Sequence, residues 1–337
     1  MRKDKLTKLI GILIILFILI NFIPTSYYVM SPGVAEKLGP IITVQDGYKE
    51  NIKGSFMLTA VGSQKATIWD YIYINTIKPN GYELELLTDQ LPEGVNMNKY
   101  LNMMADLMEE SQLTAEAVAL KKLGYDVEVS GEGVEIIEVL KASSGYNKLE
   151  NGDVIKKIDG KKVEIASEAV DIIRNREIGD EVQLQVLRDT QLIDLTVNTI
   201  ELPESPGLPS IGILIGTKNL NYNFPIEVEY NTGNIIGPSA GGMFALEIYN
   251  QLTEEDITEG KNIAGTGTIN LEGEIGRIDG IVQKIIAAKK AGAEVFLVPT
   301  DNYEKAKETN TNIELVPIKT FDDAVDFLEE DNLDKAA

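Results

Sequence analysis

One serine and one lysine have the type and setting to do chemistry. The stretch "NTGNIIGPSAGGMFALEIYN", Asn231 to Asn250, runs from a Gly-rich turn straight into an apolar helix, with Ser239 at the join. A serine there serves either as a helix N-cap or as a nucleophile aimed by the positive end of the helix. A nucleophile needs a base. The chain has no histidine and no cysteine. That excludes a Ser-His-Asp triad, a cysteine nucleophile, a disulfide framework and a His/Cys metal site. Lysine and carboxylates remain, and a lysine accepts a proton near neutral pH only where burial depresses its pKa. Moving that pKa from about 10.4 to about 7.5 costs roughly 4 kcal/mol of solvation, so the base belongs in an apolar stripe. In "GRIDGIVQKIIAAKKAG", Lys284 has Ile281 three residues before it and Ala287 and Ala288 three and four after it. Lys289, with Ile285 and Ile286 behind it, is not excluded by the same periodicity; Lys290 is less favoured.

The elements that must position these residues are readable in outline. The chain has 337 residues, room for two or three domains, and a net charge of -22. So acidic a body repels nucleic acid and anionic lipid. The basic residues Arg2, Lys3, Lys5 and Lys8 precede the apolar run "LIGILIILFILINFI", Leu9 to Ile23, which is short for a span. Lys8 can snorkel, and Pro24 to Met30, with Tyr27 and Tyr28, would extend the segment through the membrane interface. No A-x-A cleavage site follows. The expectation is an uncleaved signal anchor over 1–30, a cytoplasmic N-terminus and an extracellular body.

Beyond it, 31–53 reads as extended chain and turns, and "GSFMLTAVGS" and "ATIWDYIYINTI" read as strands. A helix is expected from about Asn98 to Leu123, with Gly124 after it and a Met cluster (Met103, Met104, Met108) as core filler. From Gly131 the pattern becomes strand, hairpin at Asp159-Gly160, short helix, hairpin. "TIELPESPGLPS" reads as a linker. The strands "IGILIGT" and "FPIEVEY", the helix after Ser239, "IAGTGTINLEG", "DGIVQKIIAAKKAG", the final strand "EVFLVP" and "TFDDAVDFL", with Thr320 as N-cap, make a mixed α/β domain.

Two resemblances attach to these residues. "GEGVEIIEV", "LENGDVIKKIDGKKV" and "IGDEVQLQVLRD" resemble a PDZ domain of the type found in exported bacterial proteases. That implies capture of an extended peptide at a sheet edge, here Val134 to Val139 with Ile136, and a Gly131–Gly133 loop meeting a carboxylate terminus. "GPSAG", followed 45 residues after its serine by a lysine in "GxxxKIIAAKKAGAEVFLVP", resembles the Lon-type Ser-Lys proteolytic domain. With the anchor and the PDZ-like region, the chain resembles the exported, membrane-anchored, PDZ-containing Lon-like proteases of Gram-positive bacteria.

The resemblance implies Ser239 as nucleophile, Lys284 over Lys289 as base, Thr266 as the hydroxyl that orients the lysine, and the Ala240 backbone N–H at the oxyanion. "MEESQLTAEAVALKKLG" resembles a helix of the same proteolytic fold. Ile236 stands where Lon has an acidic residue. No G-x-x-x-x-G-K-[ST] occurs, so no nucleotide engine is expected, and no cofactor or metal. The expected fold class is α+β: anchor 1–30, first protease segment 31–124, PDZ domain 125–199, proteolytic domain 200–329 and a tail 330–337. The order of motifs makes the PDZ region an insertion. The expected partners are peptides or unfolded protein and the membrane; homo-oligomerisation stays open. The competing reading is a catalytically silent, membrane-anchored PDZ adaptor.

Overall fold

The structure, a computed structural model, describes residues 24–48, 52–86, 97–202, 205–233 and 235–336, together with Lys8 and Gly11. The chain divides into two compact units. One is formed by the residues up to Gly124 together with those from Ile226 onward, and the other by Tyr125–Pro225. Along the chain come helices α1 (Ile68–Ile77), α2 (Met97–Lys122), α3 (Ala166–Arg174), α4 (Gly241–Leu252) and α5 (Ile281–Lys290).

The first unit is built on a six-stranded sheet in the order Glu314–Ile318, Val295–Pro299, Asn262–Gly265, Ser55–Thr67, Pro24–Lys37, Glu83–Leu86. The first four strands are parallel and the last two join antiparallel. Successive side chains leave opposite faces of a strand, and each face here has its own core. Phe56, Leu58, Ile263, Val295 and Leu297 belong to one; Met57, Ala264, Phe296 and Val298 belong to the other. Strands buried on both faces read as continuous apolar runs, as "EVFLVP" does. The first core is shared with α2, α4 and the Phe321–Ala336 helix, and the second with α5. Thr320 caps the Phe321–Ala336 helix by accepting from the Asp323 N–H at 3.1 Å.

Helix α2 lies on the Ser239 segment, although the second unit separates them in sequence. Its Ser111 hydroxyl donates to the Pro238 carbonyl at 3.1 Å, and the Tyr230 hydroxyl donates to the Gln112 carbonyl at 3.0 Å. Buried on α2 is Glu116, whose pKa is pushed up to about 8 by desolvation. Tyr230, the neighbour whose own pKa it helps to raise, also packs edge-on against Phe244 at 5.9 Å. A carboxyl raised in the folded state is stabilising while protonated, and that contribution is lost as pH rises from about 4.5 through about 8. Glu116→Gln keeps the shape and removes the titration. It is expected to raise the thermal midpoint at pH 8 by several degrees and to change it little at pH 5, as read by calorimetry.

Several sequence expectations are corrected here. The apolar run Leu9 to Ile23, expected to be the span, lies outside the described residues apart from Gly11, and no helix among the described residues is long and apolar enough to cross a membrane. Pro24 to Met30 are not a continuation of it. They open the Pro24–Lys37 strand, with Tyr28 paired to Lys65 and to Glu85, and Val29 and Met30 buried. "ATIWDYIYINTI" is not a strand throughout. From Ile68 it is α1, opened by a capping box in which Thr67 accepts from the Asp70 N–H and the Asp70 carboxylate accepts from the Thr67 N–H. The strand Glu314–Ile318 lies beyond "EVFLVP", which is therefore not the last.

The second unit is an antiparallel sheet in the order Gln191–Asn198, Glu181–Arg188, Val154–Ile158, Val134–Val139, Ile213–Thr217. Two further corrections arise from it. "IGILIGT" belongs to this unit, not to the one carrying Ser239, because Ile213–Thr217 pairs with Val134–Val139. "TIELPESPGLPS" is not a bare linker: Ile200–Leu202 and Ser205–Ser210 pair as a hairpin, whose Gly207 N–H is held by the Glu201 carboxylate at 2.7 Å.

Candidate active site

Ser239 sits in the 3-10 turn Pro238–Ala240 that feeds α4. It is not the helix cap. Ala240 takes the N-cap position of α4, with no side-chain cap bond. The Ser239 hydroxyl points instead at Lys284, whose Nζ is 2.7 Å from Oγ. Lys284 is the fourth residue of α5 and is 3 % exposed. Burial brings its pKa down to about 7, partly opposed by the charge of Asp279. Lys289 and Lys290 end α5 exposed to solvent, so of the three lysines Lys284 alone meets the requirement of desolvation.

Thr266 completes the arrangement. It follows the Asn262–Gly265 strand directly, and its Oγ1 is 2.8 Å from Lys284 Nζ. The same hydroxyl donates to the Ser239 carbonyl at 2.9 Å. Its proton is thereby committed, so towards the lysine it can only accept. A neutral amine has two N–H donors and one lone pair. Giving one N–H to Thr266 helps to turn the lone pair toward Ser239.

The backbone around Ser239 is clamped from the same strand end. The Gly267 N–H donates to the Ser239 carbonyl at 2.8 Å, and the Gly267 carbonyl accepts from the Gly242 N–H at 3.1 Å. Gly267 has φ 149°, and a Cβ there would stand 2.4 Å from Ile275 Cγ2. A Cβ on Gly241 would stand 2.6 Å from Ser111 Oγ, so glycine is what allows α2 to lie against the serine turn.

An open cleft of about 800 Å³ leads to the pair. Ala60 to Gly62 form one wall and Tyr100, Met104 and Met108 of α2 another, with Arg277, Asp279 and Ile236 along it. The expectation that the α2 methionines are core filler therefore divides. Met108 is buried, Met104 faces the cleft and Met103 is exposed. Asp279, Ser111 and Gly267 were not singled out by sequence reasoning. The signal for Asp279 was its place five residues before the lysine, where its charge acts on Lys284.

Residues 219–329 match the Lon protease (S16) C-terminal proteolytic domain. Residues 121–199 match the PDZ domain. Lon protease 2 of Bacillus subtilis is 31% identical over 119 residues, covering 35% of this chain and 20% of that protein. The Lon protease of Campylobacter jejuni is 31% identical over 112 residues, covering 32% of this chain and 14% of that protein. The chain thus spans a fifth or less of the length of these relatives. Among solved structures, the PDZ domain of an SdrC-like protein from Listeria monocytogenes is 25% identical, covering 26% of this chain and 92% of that one, with a TM-score of 0.24.

In the PDZ region the predicted peptide edge is already occupied. Val134–Val139 pairs with Val154–Ile158 on one side and with Ile213–Thr217 on the other, and Val134 and Ile136 are fully buried. The Gly131–Gly133 loop is committed too. The Glu132 N–H donates to Lys218 O at 2.7 Å and the Gly133 N–H to Glu164 O at 3.0 Å. Sequence reasoning missed that Ile213–Thr217 belongs to this sheet, so it chose the inner strand. Ile213–Thr217 ends the sheet order, and a cavity of about 170 Å³ lies between it and α3, lined by Ile158, Ala169, Ile173, Ile211, Ile213 and Ile215 among others.

Thr266→Val removes the hydroxyl and keeps the volume. If Lys284 acts as a base, kcat/KM on a peptide is expected to fall roughly 10- to 100-fold, from loss of the hydrogen bond to the ionisable amine together with the one to the Ser239 carbonyl. Unchanged steady-state kinetics in a folded variant would remove Thr266 from the mechanism.

Proposed function

We propose that this chain is a serine endopeptidase in which Ser239 is the nucleophile and Lys284 the general base. The carrying observation is the 2.7 Å approach of a buried, desolvated lysine amine to a serine hydroxyl at the mouth of a cleft. Neutral Lys284 takes the Ser239 proton as Oγ adds to a peptide carbonyl. The backbone N–H of Ala240, at the start of α4, faces the developing oxyanion. The lysine ammonium then gives its proton to the departing amine, and water, deprotonated by Lys284, releases the acyl group. Thr266 holds the amine throughout.

The match to a Lon proteolytic domain supports this reading, and no Walker A motif stands in the sequence. The activity we propose for this chain needs no ATP and is directed at short, extended or unfolded chains. The PDZ region supports peptide capture, which we place in the groove between Ile213–Thr217 and α3, where strand addition has an end strand and an apolar wall. The basic N-terminus and the apolar run Leu9 to Ile23 support a single-pass anchor with the body outside the cytoplasm. The test is release of peptides from an unfolded, fluorophore-quenched protein in the absence of nucleotide, with Ser239→Ala as control. Equal release by the control, or none without ATP, overturns the reading.

A further inference from the structure

Helix α1 has the composition of a buried element without the burial. Seven of its ten residues, in "IWDYIYINTI", are isoleucine, tyrosine or tryptophan, and they are spread around the whole helix. A helix apolar all round belongs inside a protein or a membrane. Yet among the described residues of α1 only Ile74 is buried, packed on Tyr27, Val29, Ala66 and Leu84. Tyr73 is 51% exposed and Ile77 62%, and Tyr71 and Ile72 are exposed beside them.

The few polar side chains of α1 have turned inward to its own backbone. The Asn75 amide donates to the Tyr71 carbonyl at 2.9 Å, the Thr76 hydroxyl donates to the Ile72 carbonyl at 2.6 Å, and Asp70 is spent in the capping box. Such self-satisfaction suits a helix that cannot rely on water for its hydrogen bonds. Position supplies the rest. Thr67, the N-cap of α1, is the strand partner of Pro24, the residue at which the apolar run Leu9 to Ile23 joins the fold. Paired strands lie about 5 Å apart. The exposed face therefore starts where the proposed anchor ends.

We propose that α1 docks in the headgroup–acyl boundary of the membrane that Leu9 to Ile23 enters, as a second, interfacial contact. Tryptophan and tyrosine are the side chains suited to that boundary, with an apolar body and a polar tip. No lysine or arginine lies within α1, so the contact is apolar and does not depend on anionic lipid. The inference rests on the anchored reading given above.

The chain has a single tryptophan, and it is Trp69 of α1, so intrinsic tryptophan fluorescence reports on this helix alone. The full chain is reconstituted in phosphatidylcholine vesicles and floated on a density gradient. The expected result is blue-shifted emission, quenching by doxyl-labelled lipid and loss of quenching by aqueous iodide. Ile72→Glu with Ile77→Glu should return Trp69 to water, while flotation and cleavage of a soluble peptide stay unchanged. Floated wild-type protein whose Trp69 is quenched by iodide overturns the interfacial contact and leaves the anchor standing. Shielding from iodide without quenching by doxyl lipid, retained in detergent, means that protein and not lipid covers the half-buried Trp69, and also overturns it. Failure to float overturns the anchor, and this proposal with it.

Discussion

Ser239→Ala and Lys284→Ala are each expected to lower kcat by about a thousandfold or more on a peptide substrate, because nucleophile and base act as a unit and losses within a unit are not additive. The double variant should therefore be scarcely worse than either single one. Lys284→Arg is expected to be as inactive as Lys284→Ala, since a guanidinium keeps its proton at any working pH. Loss of folding could mimic this result, and Lys284→Met separates the two. A lysine whose folded pKa is about 7 is disfavoured as a cation in its site. Its stability contribution is full above its ordinary value of about 10.5 and is lost as pH falls toward about 7. At pH 7 the linkage cost approaches ~5 kcal/mol as an upper limit. A methionine of similar length has no charge to bury. Lys284→Met should be inactive yet melt at a higher temperature than the parent at pH 7, as activity-bearing burial of a charge predicts. Full activity in folded Lys284→Ala would end the assignment.

Activity should rise with pH through a midpoint near 7, and the direction is diagnostic. Only the neutral amine accepts the serine proton, and burial has brought Lys284 down to about 7. Below that midpoint the neutral fraction falls tenfold per pH unit, so kcat/KM at pH 5 should be about a hundredfold below its plateau at pH 9. Asp279 works the other way, its charge favouring the cation. Asp279→Asn should move the midpoint to lower pH and raise activity at pH 6 relative to the plateau. A carboxylate base would give a profile already flat at pH 6. The measurement is kcat/KM on a short peptide without ionisable groups, so that only the enzyme titrates. A flat profile between pH 5.5 and 9 would exclude Lys284 as the base.

Legibility in the sequence followed periodicity. The helix carrying Lys284 was readable because its apolar stripe is regular, and "EVFLVP" because a strand buried on both faces is apolar throughout. "ATIWDYIYINTI" misled. Its β-branched and aromatic residues favour a strand, but the Thr67–Asp70 capping box and the packing of Ile74 on the sheet edge make it a helix. The PDZ edge misled for a different reason. Which strand ends a sheet depends on a partner remote in sequence, and Ile213–Thr217 pairs with Val134–Val139 across some eighty positions.

Composition alone excluded every base that needs histidine and every thiol, and left lysine and the carboxylates; among the lysines, the stripe allowed Lys284 and did not exclude Lys289. What no local pattern could decide is that Ser239, Thr266 and Lys284 meet. Ser239 opens a helix on one face of the sheet, Lys284 lies in the first turns of a helix on the other, and Thr266 leaves the strand between them. In a sheet of parallel strands, both layers of helices begin at the carboxyl ends of the strands. That shared end brings the two helix starts and the strand terminus within hydrogen-bond reach. The same packing takes water away from the amine. The lowered pKa on which the proposed base role of Lys284 depends is thus a property of the fold, whereas the sequence supplied the lysine and its place in an apolar stripe.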